Sequence, residues 1–199
     1  MNTLLLVTVE ILAVVVTPLL ILYLRGSWRA HSTIPYLFSI PILWYLTYAP
    51  IHELSHLAGA YLVGAEVTSV KLIPSFWIGE FGRAWITPVG IEQDWERLTM
   101  TGAPYILDIV SVLLGILVLR QDRLKNPFMI GLLFMLLCLR PAFDFVCETM
   151  AFLMGDQGDL YHIEVITGDF MMASFVLISI GVSFLAIITV LRRFSAYRH

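Results

Sequence analysis

Residues 52–56 read His-Glu-Leu-Ser-His, and this short segment carries the clearest chemical signal in the chain. On an α-helix, His52 and His56 share a face because they are four residues apart, so both imidazoles can bind one metal ion. Glu53 stands next to the first histidine, where it can accept the proton of an attacking water. Zinc suits two neutral imidazoles and takes a third protein ligand in catalytic sites. The spacing therefore predicts a hydrolytic zinc site with Glu53 as its general base.

The apolar sequence around the motif makes this interpretation more specific than the five residues alone. Burying two histidines and a glutamate in hydrocarbon is expensive unless they serve a function. The competing interpretation is a polar cluster that bridges helices or lines a transport path.

The composition is that of a membrane protein. Of the 199 residues, 59% are hydrophobic and 14% charged, and the mean hydropathy is +0.85. Soluble domains are about 45–50% apolar and about 25% charged. The 12 basic and 15 acidic side chains cannot cover so much apolar surface, and the net charge of −3 does not suit a phosphate backbone. A soluble globular domain, a disordered chain and a nucleic-acid-binding protein are therefore excluded.

The hydropathy pattern predicts an all-α polytopic fold with five transmembrane helices, at residues 3–24, 34–63, 98–119, 127–154 and 170–191. Pro35, Pro41 and Pro50 are expected to interrupt the second. The loops and tail on one side carry eight basic residues against a single acidic one, Asp122, whereas the loops on the other side are acidic. The positive-inside rule then places the N-terminus outside and the C-terminus in the cytoplasm.

The connection between the second and third spans, residues 65–97, differs from the other loops. Two runs of alternating residues flank the turn signal Gly-Glu-Phe-Gly at 79–82. This pattern predicts a small β-hairpin at the membrane face. The whole chain, 1–199, is expected to form one membrane domain.

Four aspartates compete for the place of the third metal ligand. Asp108 and Asp144 lie inside the third and fourth spans at suitable depths, but Arg140 is four residues before Asp144, so an intrahelical ion pair also explains Asp144. Asp156 and Asp159 lie in a glycine-bracketed break after the fourth span. Such a break in a membrane helix is tolerated only inside protein or beside a wet cavity. A solvated acidic turn with Asp159 as a helix N-cap is the plain alternative.

The segment His52-Glu-Leu-Ser-His-Leu-Ala-Gly-Ala60 in a membrane helix, followed by a hairpin, resembles the site-2 protease family of intramembrane zinc metalloproteases. The start of the third span, Thr101-Gly-Ala-Pro104, is similar to the entry of that family's next helix. The resemblance covers residues 34–168, as in a short, divergent member. Ser55 replaces the usual glycine, and the usual Asn-x-x-Pro…Leu-Asp-Gly signature of the third ligand is absent as such.

The resemblance implies a zinc endopeptidase that cleaves membrane-embedded substrates, with His52 and His56 as ligands and Glu53 as the catalytic base. Residues 158–168 also look like a Gly-Asp…Thr-Gly stretch of shorter relatives, in which the aspartate opens a helix. We therefore rank Asp159 first as the third ligand, followed by Asp156, Asp144 and Asp108.

Two other functions remain open from the sequence. A catalytically silent zinc-binding membrane protein would act as a transporter, chaperone or regulatory partner, and it would not need Glu53 between its ligands. The second open function is zinc-dependent hydrolysis of a lipid or prenyl-linked substrate.

Overall fold

The computed structural model describes residues 30–74, 84–121, 124 and 126–195. The predicted first span at 3–24 lies outside these residues. Six helices follow in chain order, two of them joined into one rod: α1 Ala30–Leu62, α2 Asp94–Leu119, α3 Pro127–Phe134, α4 Arg140–Leu153, α5 Asp159–Thr167 and α6 Asp169–Ser195. The expectation of a mostly helical fold is thus confirmed for the described part of the chain.

Helix α1 runs unbroken from Ala30 to Leu62, so the expected interruption by prolines is wrong. Proline removes one backbone donor from a helix. In membrane-type helices, neighbouring helices and small local adjustments satisfy the freed carbonyls, which allows such a helix to continue. The continuity matters for the site because it keeps His52 and His56 on one helical face.

Three helices of the described part are long and apolar enough to cross a membrane: Asp94–Leu119, Phe128–Leu153 and Asp169–Thr189. They correspond to the third, fourth and fifth predicted spans. Helix α2 begins four residues before the expected boundary because Glu96 stabilises its first turn. The Glu96 carboxylate accepts a hydrogen bond from the backbone N–H of Gln93 at 3.0 Å, which caps the helix start.

Helices α3 and α4 form one rod, joined by a π-helical turn at Met135–Leu139. The main buried cluster lies against this turn and includes Trp44, Ile130, Met135 and Cys138. Helix α2 approaches the turn so closely at Gly115 that a Cβ there would lie 2.6 Å from the sulfur of Cys138. A glycine at this position therefore permits the close packing of α2 on the rod.

The predicted hairpin is confirmed. Strands β1, Glu66–Lys71, and β2, Trp85–Val89, pair antiparallel, and the turn between them lies outside the described residues. The register shifts between Val67 and Ser69, a bulge on β1. Strand β2 lies beside α1 and forms part of the cavity described below.

Candidate metal centre

Three side chains from two distant segments converge at the hairpin end of the helices. The Nε2 atoms of His52 and His56 are 3.0 Å apart. Oδ2 of Asp159 is 2.8 Å from the Nε2 atom of His56 and 3.4 Å from that of His52. Among the described residues, this is the group of histidine, cysteine and carboxylate side chains whose arrangement could hold a metal ion.

Hydrogen bonds at the opposite ring nitrogens fix both imidazoles. Nδ1–H of His52 donates to Oδ2 of Asp144 at 2.8 Å. Nδ1–H of His56 donates to the backbone carbonyl of Met100 at 2.9 Å. A carboxylate or carbonyl behind each imidazole is the usual support of a metal-binding histidine, since it fixes the tautomer and the ring orientation. Both Nε2 atoms are thereby directed at the same point.

The donor set and its dimensions suit a tetrahedral metal ion. Donors about 2.0–2.2 Å from a tetrahedral ion stand about 3.3–3.6 Å from one another. Of the three observed separations, 3.4 Å lies within that range, and 3.0 and 2.8 Å lie below it by up to half an ångström. Two imidazoles and one carboxylate would leave the fourth position open, as in catalytic sites.

Asp159 reaches the histidines because the chain turns back after the rod. Gly155 adopts a positive φ of 81°, and α5 then starts with Gly158 at its N-cap and Asp159 as its first helical residue. The alternative of Asp159 as an N-cap is therefore wrong. Leu160, 1% exposed, anchors α5 in a buried cluster with Tyr105, whose hydroxyl lies 3.5 Å from Oδ2 of Asp159.

The charge of Asp159 is stabilised at this position. Burial by itself raises the pKa of the Asp159 carboxyl, but hydrogen bonds and charge from His52 and His56 outweigh burial and hold that pKa well below its ordinary value. An ionised carboxylate is the form that binds a metal.

The other three candidate aspartates have different surroundings. Asp144 supports His52 from behind, and Asp108 accepts a 2.6 Å hydrogen bond from Nη2 of Arg140. The expected ion pair between Arg140 and Asp144 within α4 is thus replaced by one between helices, because α2 places the buried Asp108 beside Arg140. Asp156 is not a member of the three-residue group.

A cavity of about 270 Å³ opens onto this group. Its lining includes Glu53, which makes no hydrogen bond or ion pair with any described residue. The lining combines apolar and acidic side chains: His52, Glu53, His56, Trp85, Ile86, Pro88, Met100, Glu148, Gly158 and Asp159.

Sequence reasoning missed two members of this site. Glu148 was not identified, although its spacing of four residues from Asp144 puts both on one face of α4. The support of His52 by Asp144 was also missed, because Asp144 was considered only as a ligand or as the partner of Arg140.

No protein-family model matches this chain, and no curated protein or solved structure is significantly similar to it. The functional inference therefore depends on the residues and their geometry.

Proposed function

We propose that this chain is an intramembrane zinc metalloendopeptidase. One observation carries the proposal: the Nε2 atoms of His52 and His56 and a carboxylate oxygen of Asp159 converge on one point, and Glu53 lines the same cavity. His52, His56 and Asp159 are the proposed zinc ligands, and Glu53 is the proposed catalytic base.

The residues around the cavity suit peptide hydrolysis. Bound zinc would acidify a water and polarise the scissile carbonyl. Glu53 accepts a proton from the attacking water while the oxygen of that water bonds to the carbonyl carbon. Glu53 then returns the proton to the amide nitrogen as the C–N bond breaks. Asp144 and the Met100 carbonyl keep the two imidazoles oriented throughout.

Strand β2 offers a binding surface for an extended substrate. A transmembrane substrate helix must unwind locally, since its carbonyls are bonded within the helix. In the part of the chain that the structure describes, β2 pairs with β1 on one edge only, and Trp85, Ile86 and Pro88 line the cavity. The unwound segment would add to the free edge of β2, beside the ligand group.

The three long apolar helices, with large side chains exposed along them, support insertion in a membrane. Leu117 is 64% exposed on α2 and Leu177 is 71% exposed on α6. The proposal is a multi-pass protein with its N-terminus outside and its C-terminus in the cytoplasm, according to the distribution of basic residues. His56 is six residues from the end of α1, about 9 Å along the helix axis, which puts the site near the outer face.

Glu53 has no partner among the described residues, and this favours catalysis over a silent zinc-binding role, because a structural site has no use for such a carboxylate in its cavity. The test is to purify the protein in detergent, measure its zinc content and assay cleavage of a panel of membrane peptides by mass spectrometry. We expect about one zinc per chain and cleavage by the wild-type protein.

Three variants complete this experiment. His52→Ala should lose the zinc, whereas His162→Ala, a change at an exposed histidine of α5 outside the cavity, should keep both zinc and cleavage. Glu53→Gln should keep the zinc and lose cleavage. Zinc-loaded protein that cleaves no member of the panel would favour the silent transporter, chaperone or regulatory role, and protein that takes up no zinc would refute both.

A further inference from the structure

Glu148 is the one cavity carboxylate to which the proposed reaction gives no role. It lies on α4, four residues after Asp144, and lines the cavity with Glu53 and Asp159. It makes no hydrogen bond or ion pair with any residue that the structure describes. A carboxylate in a partly buried cavity is costly to leave without a partner. A cationic group that enters the cavity could serve as such a partner.

The position of Glu148 keeps its carboxylate at the cavity wall. A Cβ placed on Gly158 would be 3.3 Å from Oε2 of Glu148, so the absence of a side chain at Gly158 leaves room for the carboxylate. Gly158 is also the N-cap of α5, a helix of nine residues.

The charge balance of the cavity determines what Glu148 would bind. Glu53, Glu148 and Asp159 bring three negative charges when ionised, and a zinc ion held by neutral imidazoles brings two positive charges. One negative charge remains in a cavity that Trp85 and Ile86 also line. A cationic group of the substrate would balance it.

We propose that Glu148 is a specificity-determining residue that binds a cationic nitrogen of the substrate next to the scissile bond. This inference rests on the proposed zinc peptidase function. The nitrogen belongs to a basic side chain, which presents charged N–H donors to the carboxylate. A free amino terminus next to the scissile bond would instead require an exopeptidase.

Three matched hydroxamates test the proposal by binding to the zinc-loaded protein in detergent. The neutral probe is Nα-acetyl-norleucine hydroxamate. Nα-acetyl-lysine hydroxamate adds a side-chain ammonium, and norleucine hydroxamate adds a free α-amine. A hydrogen bond between charged groups predicts that Nα-acetyl-lysine hydroxamate binds the wild-type protein about 10- to 100-fold more tightly than the neutral probe. A preference for norleucine hydroxamate alone would overturn the proposal, because it indicates an exopeptidase.

Glu148→Gln should reduce this ratio of dissociation constants to about one, and Glu148→Asp should retain only part of it. The ratio within one variant is independent of the fraction of folded protein. Glu92→Gln, at an exposed glutamate outside the cavity, is the matched control and should keep the wild-type ratio.

The outcomes separate the two proposals. If no hydroxamate binds, the metal site is wrong, and the proposed function and the role of Glu148 are refuted together. If all three bind the wild-type protein equally, the metal site stands and only the role of Glu148 is refuted. A preference that survives Glu148→Gln also refutes this role. So does a loss of zinc in that variant, because Glu148 would then be a metal ligand.

Discussion

Replacing Asp144 by asparagine tests how the proposed zinc site would hold its metal. Oδ2 of Asp144 lies 2.8 Å from Nδ1 of His52, and Asp144 is only 2% exposed. Asparagine keeps an oxygen that can accept the same hydrogen bond, but it removes the negative charge that makes His52 a stronger ligand. Loss of such a supporting residue weakens metal binding about 10- to 100-fold. We expect a loss of that size for Asp144→Asn, about 1.4–2.8 kcal/mol.

Two further aspartate variants turn this measurement into a ranking. Asp159→Asn removes a proposed ligand, so its loss of zinc affinity should exceed that of Asp144→Asn. Asp156 follows α4, the helix that carries Asp144, but it lies outside the ligand group. Asp156→Asn is therefore the matched control, and this variant should bind zinc as the wild-type protein does. Competition against a chromophoric chelator at constant pH gives the three dissociation constants.

The order of the three constants decides the assignment. If Asp144→Asn abolishes zinc binding while Asp159→Asn leaves it intact, Asp144 is the ligand and Asp159 is not. If Asp144→Asn changes affinity no more than Asp156→Asn does, the hydrogen bond to His52 contributes nothing to the metal site. Either result would refute the reasoning from the observed geometry.

Three more predictions follow from the structure. Glu53→Gln should keep zinc by elemental analysis and slow peptide cleavage by about 10²- to 10⁴-fold, as expected for loss of a general base; equal loss of zinc and cleavage would make Glu53 a structural residue. Arg140→Met should leave the buried carboxyl of Asp108 without its Arg140 partner and destabilise the protein by about 1–3 kcal/mol in detergent unfolding, and adding Asp108→Leu should restore most of that loss. If the double variant is no more stable, the pair does not act as a unit. A reporter fused at His199 should be cytoplasmic and one inserted at Gly82 should not; a cytoplasmic Gly82 would invert the proposed topology.

Those parts of the fold that depend on local sequence were predictable. The i, i+4 spacing of His52 and His56 fixes their relation within one helix, whatever surrounds it. The apolar runs correspond to α2, to the rod and to α6, because length and hydropathy determine where such helices lie. The break at Gly155 was visible as a glycine-bracketed acidic segment. Such a break lets the chain turn back, and this is consistent with the short distance between Asp159 and the two histidines.

Contacts between helices were not predictable in the same way. Arg140 and Asp144 are four residues apart, which favours an ion pair on an isolated helix. In the folded protein, Arg140 binds Asp108 on α2 and Asp144 binds His52 on α1. The choice between these partners depends on how the helices are rotated about their axes. The spacing of residues within one helix does not reveal that rotation.

The π-helical turn at Met135–Leu139 sets this rotation for α4. Each residue of an α-helix turns the chain by about 100°, so one extra residue in a turn rotates everything after it by about that angle. Arg140, Asp144 and Glu148 follow the turn directly, on one face of α4. In a regular helix, that face would point about 100° away from Asp108, from His52 and from the cavity. The turn packs against Gly115, which shares a buried stripe of α2 with Asp108, seven residues earlier. The close approach at Gly115 and the extra residue of the turn therefore act together: one brings the rod to α2, and the other directs the charged face of α4 at the candidate metal centre.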